Sequence, residues 1–79
     1  MIRIVLADDQ ALVRQGIRAL VELTREVEVV AEAQDGDEAL QLIRQHRPAV
    51  ALLDVRMPGM TGVEVLTALR RLGDTTPVV

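Results

Sequence analysis

Three short runs of aliphatic residues alternate along the chain with segments whose apolar residues recur at helical spacing. The runs cover residues 2–7, 27–33 and 49–53. Each is short and rich in Val, Ile, Leu or Ala, a pattern typical of strands buried in a parallel sheet. In the second run, Glu28 and Glu32 alternate with apolar residues, and such charges favour an edge position in the sheet.

The segment after the first run predicts a helix that begins at Ala11. Asp9 precedes it and is the expected cap, because a carboxylate satisfies free backbone N–H groups and favours the positive end of a helix. Arg14 and Arg18 are interleaved with the apolar positions and are expected on a solvated face or at a docking surface for a partner protein. The predicted apolar stripe consists of Leu12, Val13, Ile17, Leu20 and Val21.

Two further helices follow the second and third runs. Asp37 is the expected cap of the second helix, after a turn at Asp35 and Gly36, and that helix is expected to end near residues 46–48. Thr61 and Glu64 have the spacing of a capping box, so the third helix starts there. It is expected to end at Gly73. The residues expected to face the sheet are Ala39, Leu40 and Ile43 in the second helix and Val63, Leu66 and Leu69 in the third.

Residues 77–79 have the pattern of a fourth strand that has just begun. Strands that alternate with helices through short connections predict an α/β fold: a parallel sheet with helices on both faces and right-handed crossovers. The pattern alone leaves the order of the strands open. A flavodoxin-like order, 2-1-3-4, would make the first and third strands neighbours.

Composition narrows the class of protein. The 79 residues allow one small domain, and the absence of Cys excludes disulfides and thiolate metal sites. No apolar run approaches the ~18 residues of a membrane span, so a cytoplasmic protein without a membrane partner is expected. A net charge of −3, no aromatic residue and no basic patch argue against nucleic-acid binding by this segment.

Aspartates follow the first and third strands, where an α/β sheet usually carries its functional residues. Asp8 and Asp9 end the first run, and Asp54 ends the third. If these strands are neighbours, the three carboxylates converge, because adjacent strands lie about 4.8 Å apart. Carboxylate oxygens suit Mg²⁺, which would relieve their mutual repulsion. The pattern therefore predicts a magnesium site in which a carboxylate can attack phosphorus.

Three segments carry a resemblance to a known family: residues 4–9 (IVLADD), 31–40 (AEAQDGDEAL) and 52–62 (LLDVRMPGMTG). Together they resemble the receiver domain of bacterial two-component response regulators, of the NarL/FixJ type. The resemblance covers essentially the whole chain. It implies a flavodoxin-like (CheY-like) fold and the strand order 2-1-3-4, with a fifth strand in the family.

The resemblance also implies a role for each site residue. Asp54 would be the phosphoacceptor, and a phosphohistidine on a sensor histidine kinase would be the donor. Asp9 would bind Mg²⁺ directly, Asp8 mainly through metal-bound water, and the backbone carbonyl of Arg56 would complete the protein ligands. The protein would then be a regulatory domain, not an enzyme, and its parent would regulate transcription.

The chain departs from the family in length. Residues 1–79 are expected to form an incomplete receiver domain without the end of the fourth strand, the fourth and fifth helices and the fifth strand. A Thr or Ser that ends the family's fourth strand and a Lys that ends its fifth have no counterpart. No DNA-binding domain is expected in this chain.

Two alternatives come from other classes of protein. One is an aspartyl-phosphate phosphatase of the haloacid-dehalogenase type, which needs a second Asp two residues after the nucleophile. Arg56 occupies that position and argues against this reading. The other is a non-phosphorylated interaction module, in which an uncovered apolar face and an open strand edge would lead to a homodimer or a domain-swapped oligomer.

Overall fold

The computed structural model describes all 79 residues and confirms the predicted α/β alternation. Three strands and three helices alternate in the order β1 Ile2–Ala7, α1 Ala11–Glu22, β2 Val27–Ala33, α2 Gly36–His46, β3 Val50–Leu53 and α3 Gly62–Arg71. The third strand thus begins one residue later than predicted, because its ladder with β1 starts at Val50, which pairs with Ile4. None of the helices has the length and hydrophobicity that crossing a bilayer requires.

The sheet is parallel and has the order β2-β1-β3. The charged strand β2 is therefore at an edge, as predicted. Beyond β3, Val78 forms a parallel bridge with Ala51, and the Ala51 N–H donates to the carbonyl oxygen of Pro77 at 2.9 Å. The order thus continues as 2-1-3-4, which confirms the flavodoxin-like arrangement and the beginning of a fourth strand.

Alternate residues of β1 face opposite sides of the sheet and nucleate separate parts of the core. Val5 packs with the α2 and α3 side, in a cluster with Ile43, Ala51, Val65 and Leu69. Ile4 and Leu6 face the other side, where Ile17 and Val21 of α1 pack against them. The period of two in a strand produces this division. Its result is a sheet between two helices on one face and one helix on the other.

The predicted apolar stripe of α1 is only partly correct. Ile17 and Val21 contact the sheet, but Leu12 and Leu20 are 80% and 67% exposed. Val13 is also exposed, and no residue of α1 is fully buried. A single helix on this face touches the sheet along the narrow line defined by residues i and i+4, so apolar residues to either side stay in solvent.

Two predicted helix caps were wrong. Gln10, not Asp9, is the residue before α1, and its side chain makes no capping hydrogen bond. Asp35, not Asp37, caps α2: its backbone is extended, and its Oδ1 accepts the N–H of Glu38 at 2.8 Å. Because α2 begins at Gly36, Asp35 lies three residues before the free N–H of Glu38, and its carboxylate can accept that hydrogen bond.

The third helix begins with the predicted capping box and ends at the predicted glycine. Thr61 Oγ1 accepts the Glu64 N–H, and Glu64 Oε1 accepts the Thr61 N–H, at 3.2 and 3.1 Å. Gly73 follows the helix with a φ of 75°. The inward position assigned to Val63 was wrong, because Val63 is 62% exposed and Val65 is fully buried. The buried face of the helix consists of positions i, i+3 and i+7, which are Gly62, Val65 and Leu69.

Candidate functional site

The three predicted site aspartates lie together at the carboxyl edge of the sheet. Carboxylate oxygens of Asp8, Asp9 and Asp54 all lie within 4.8 Å of one another. The pairing of β1 with β3 produces this arrangement, because the N–H of Asp54 donates to the carbonyl oxygen of Ala7 at 2.9 Å. The sequence predicted that the three carboxylates converge if the first and third strands are neighbours. The structure confirms this convergence.

The three side chains differ in their surroundings. Asp8 is partly buried, and its Oδ1 accepts the N–H of Gln10 at 2.9 Å. Asp9 is exposed. Asp54 is partly buried, and its Oδ1 accepts the N–H of Arg56 at 3.3 Å. Two of the three carboxylates are thus oriented by the backbone of the loop that follows them, whereas Asp9 depends on its own backbone for its position.

No basic side chain forms an ion pair with this cluster. The ion pairs of the protein join Arg14 to Glu32 and Arg18 to Glu22 and Glu32. Three carboxylates within a few ångströms, without a cationic partner, repel one another. An oxygen-only set of anionic ligands is the donor chemistry of hard divalent cations. The cluster can therefore hold a metal ion.

The loop after β3, which follows Asp54, is fixed by packing and by a backbone hydrogen bond. Met57 is buried against Ala7, Ala33 and Ala39. The N–H of Gly62 donates to the carbonyl oxygen of Val55 at 3.1 Å. These contacts hold the residues around Asp54 against the sheet.

Gly62 also allows a close approach that no other residue would permit. A Cβ atom at Gly62 would lie 2.6 Å from the carbonyl oxygen of Asp54 and 3.3 Å from the Cα of Val55. The start of α3 can therefore approach the backbone of Asp54 only because residue 62 has no side chain. The sequence analysis did not single out this glycine for that role.

Arg14 is the site residue that sequence reasoning placed incorrectly. Its side chain is only 16% exposed, and its Nη1 donates to the carbonyl oxygen of Asp8 at 2.5 Å. It is not on a solvated face. The sequence did contain a signal for this contact: Arg14 follows Asp9 closely along the chain. A long side chain in the first turns of α1 can therefore reach back to the loop after β1.

Arg18 is near Arg14 but does not touch the cluster. It pairs with Glu32 and with Glu22, four residues further along α1. The hydrogen bond to Glu32, together with the charge of Glu22, raises the pKa of the Arg18 guanidinium above its ordinary value. Arg18 is therefore part of an ion-pair network on α1 and β2, as expected for a solvated face.

Comparison with known proteins assigns this chain to a family. The model of the response regulator receiver domain matches residues 4–79. The chain belongs to the response regulator receiver family. It is 51% identical over 69 residues to the "Probable transcriptional regulatory protein NarL" of Mycobacterium tuberculosis. It is 44% identical over 77 residues to the nitrate/nitrite response regulator protein NarP of Escherichia coli.

The fold of the chain also matches that of a solved receiver domain. The structure of the signal receiver domain of the response regulator NarL from Mycobacterium tuberculosis superposes with a TM-score of 0.90 at 47% identity. That match covers 98% of this chain and 60% of the other. The chain spans 32% of the NarL protein and 36% of NarP, so it corresponds to the receiver part of such regulators.

Proposed function

We propose that this chain is a phospho-accepting receiver and that Asp54 is its phosphoacceptor. The observation that carries the proposal is the convergence of Asp8, Asp9 and Asp54 at the carboxyl ends of two paired strands. Asp54 is the member that follows β3, in a loop whose packing holds it in place. Asp8 and Asp9 come from the neighbouring strand and face it across the cluster.

Mg²⁺ is the proposed cofactor, held by the carboxylates of Asp8, Asp9 and Asp54 and by the backbone carbonyl of Arg56. Two observations support this ligand set. The carboxylates have no cationic partner, and the Arg56 carbonyl accepts no backbone hydrogen bond. When bound, the ion would offset negative charge on the phosphoryl group and on the attacking carboxylate.

The proposed reaction is a phosphoryl transfer to a carboxylate. An oxygen of Asp54 attacks the phosphorus of a phosphohistidine on a sensor histidine kinase. The new O–P bond forms as the N–P bond breaks, and the imidazole nitrogen leaves with the electron pair. The product is an acyl phosphate on Asp54. The chain acts as the acceptor in this reaction and not as an enzyme.

A phosphatase reading is disfavoured by the residue two positions after Asp54. An acid at that position would protonate a leaving group, which a guanidinium cannot do because it keeps its protons at all physiological pH values. Arg56 occupies the position and is exposed. The site therefore fits a stable phosphorylated form better than rapid turnover.

In the parent protein, we propose, the receiver continues through the remaining strand and helices of the family and precedes a DNA-binding domain that regulates transcription. The chain itself would contact no nucleic acid and no membrane, and would act in the cytoplasm, where the kinase donor domain and the chromosome are located. Phosphorylation of Asp54 would bias a two-state equilibrium of the surrounding loops.

Self-association of the chain stays a prediction. Leu12 and Leu20 are exposed on α1, and exposed apolar residues next to an open sheet edge favour a homodimer or a domain-swapped oligomer. Analytical sedimentation at high protein concentration tests this. A monodisperse monomer would rule it out.

The phosphoacceptor proposal is tested by incubating the chain with Mg²⁺ and acetyl phosphate and measuring its intact mass. The expected result is the gain of one phosphoryl group, dependent on Mg²⁺ and absent in Asp54→Asn. Asp35→Asn is the matched control, because Asn caps a helix about as well as Asp and Asp35 lies outside the cluster. A gain in Asp54→Asn equal to that of the unmodified chain would contradict the proposal.

A further inference from the structure

The Arg14 side chain connects the loop after β1 to the edge strand β2. Its Nη1 donates to the carbonyl oxygen of Asp8 at 2.5 Å, and its Nε lies 3.4 Å from Glu32 Oε1. A guanidinium presents several donors in a rigid planar fork, so one side chain can hold two acceptors in a fixed geometry. Arg14 thereby joins the backbone of the acidic cluster to a carboxylate of the sheet.

The carbonyl oxygen that Arg14 holds belongs to the peptide between Asp8 and Asp9. The atoms of a peptide unit lie in one plane, from one Cα to the next. A hydrogen bond that fixes the oxygen therefore also fixes the direction in which the Cα of Asp9 lies. Asp9 is exposed and has no ion-pair partner, so its carboxylate depends on this peptide plane for its orientation.

The other end of the same segment gives Asp9 little support. Gln10 precedes α1, and its side chain makes no capping hydrogen bond. The Gln10 N–H is held by Asp8 Oδ1, a member of the cluster itself. From outside the cluster, the Asp8 N–H also donates to the carbonyl oxygen of Ala33 at 3.1 Å. Arg14 is the side chain that holds the Asp8–Asp9 peptide itself, and it is largely buried and paired with Glu32 on β2.

We propose that Arg14 is a positioning residue for the cation site: it orients Asp9 by holding the Asp8–Asp9 peptide, and Glu32 keeps the guanidinium in place. The inference rests on the proposed function only in taking Asp8 and Asp9 as cation ligands. Residues that orient metal ligands usually change metal affinity by about 10- to 100-fold when they are replaced.

Electrostatics and positioning make opposite predictions for the loss of Arg14. A guanidinium near a cation site repels the cation, so its removal would strengthen Mg²⁺ binding if charge were its only effect. If Arg14 orients Asp9, its removal weakens binding. The sign of the change in Mg²⁺ affinity therefore separates the two effects. A loss of stability alone does not change this affinity in a variant that remains folded.

Arg18 provides the matched control. It is also an arginine of α1 that pairs with Glu32, but its other partner is Glu22 and it makes no contact with Asp8. Arg18→Ala removes the same charge from the same helix and leaves the Asp8–Asp9 peptide held. Arg14→Lys provides a second variant that keeps the charge and the aliphatic stem, but a single ammonium group lacks the fork that spans both acceptors.

The experiment is calorimetric titration of the chain with MgCl₂ for the unmodified protein, Arg14→Ala, Arg14→Lys and Arg18→Ala. Amide NMR spectra without the metal report on the Asp9 N–H. The expected results are an affinity about tenfold lower in Arg14→Ala, a lower affinity in Arg14→Lys, an unchanged affinity in Arg18→Ala, and a shifted Asp9 amide signal in both Arg14 variants only. If Arg14→Ala does not fold, Arg14→Lys carries the test.

Equal or tighter Mg²⁺ binding in the Arg14 variants would overturn this inference while leaving the proposed function standing. Full affinity in Arg14→Lys with a loss in Arg14→Ala would also overturn it, since charge and bulk would then suffice without the fork. Failure of the unmodified chain to bind Mg²⁺ would overturn the proposed magnesium site, and this inference with it.

Discussion

The N–H of Asp54 donates to the carbonyl oxygen of Ala7 at 2.9 Å. This hydrogen bond continues the β1–β3 ladder by one residue beyond the last pair, Ala7 with Leu53. It brings the first residue after β3 next to the first residues after β1. The position of the proposed phosphoacceptor therefore follows from strand register, and changes that displace the Asp54 backbone should impair both folding and the site.

Gly62→Ala tests this coupling. The added Cβ would lie 2.6 Å from the Asp54 carbonyl oxygen, so the loop or the start of α3 must move. The expected result is a loss of about 1–3 kcal/mol in the free energy of unfolding, measured by urea denaturation, together with slower phosphorylation.

Gly16→Ala is the control for that substitution. Gly16 lies inside α1, with no atom within 4 Å of an added Cβ. Ala is a better helix former than Gly by about 0.8–1 kcal/mol, so this variant should be more stable than the unmodified chain. Destabilisation of the same size in both variants would show that the approach of Gly62 to Asp54 has no particular importance.

Val65→Ala and Val63→Ala test which side of α3 faces the sheet. Val65 is fully buried in the cluster with Val5 and Leu69, whereas Val63 is 62% exposed. The loss of two buried methyl groups and the resulting cavity should lower the free energy of unfolding by roughly 2 kcal/mol for Val65→Ala. Val63→Ala should change it by less than about 0.5 kcal/mol. The reverse ranking in thermal denaturation would contradict the orientation of α3.

Asp74 gives the protein an acid-sensitive contact. The N–H and the hydroxyl of Thr76 both donate to Asp74 Oδ1, at 2.9 and 2.6 Å. These hydrogen bonds lower the pKa of Asp74 below its ordinary value of 3.8. A carboxylate with a lowered pKa in the folded state stabilises the fold above its unfolded-state pKa, and this stabilisation is lost as the pH falls through the folded-state pKa.

The measurement for Asp74 is the difference in unfolding free energy between the unmodified chain and Asp74→Asn as a function of pH. The difference should be largest above about pH 4 and should shrink as the pH is lowered further. A difference that stays constant from neutral to acidic pH would mean that the charge on Asp74 does not contribute to stability.

Local patterns in the sequence were sufficient for the element order and for placing the aspartates at the carboxyl ends of β1 and β3. Aliphatic runs that end in aspartate mark buried strands and their carboxyl ends. The capping box at Thr61 and Glu64 is likewise a local pattern, and the structure contains it. Strand adjacency needed more than the pattern, and it was supplied by the resemblance to receiver domains.

Features that depend on tertiary contacts or on a shift of one residue could not be predicted from the sequence. A shift of one position rotates a helical residue by about 100°, which is why Val63 was mistaken for the inward residue. Asp35 and Asp37 are equally good caps by composition, and only the extended backbone of Asp35 decides between them. The contact of Arg14 with the Asp8 carbonyl depends on how α1 lies against the sheet.

The most direct test of the central claim locates the phosphoryl group among the three clustered carboxylates. The chain is phosphorylated with acetyl phosphate and Mg²⁺, the acyl phosphate is reduced with borohydride to the corresponding alcohol, and peptides are sequenced by mass spectrometry. The account predicts that Asp54 is converted to homoserine while Asp8 and Asp9 remain aspartate. Conversion at Asp8 or Asp9, or at no aspartate in a folded sample, would contradict it.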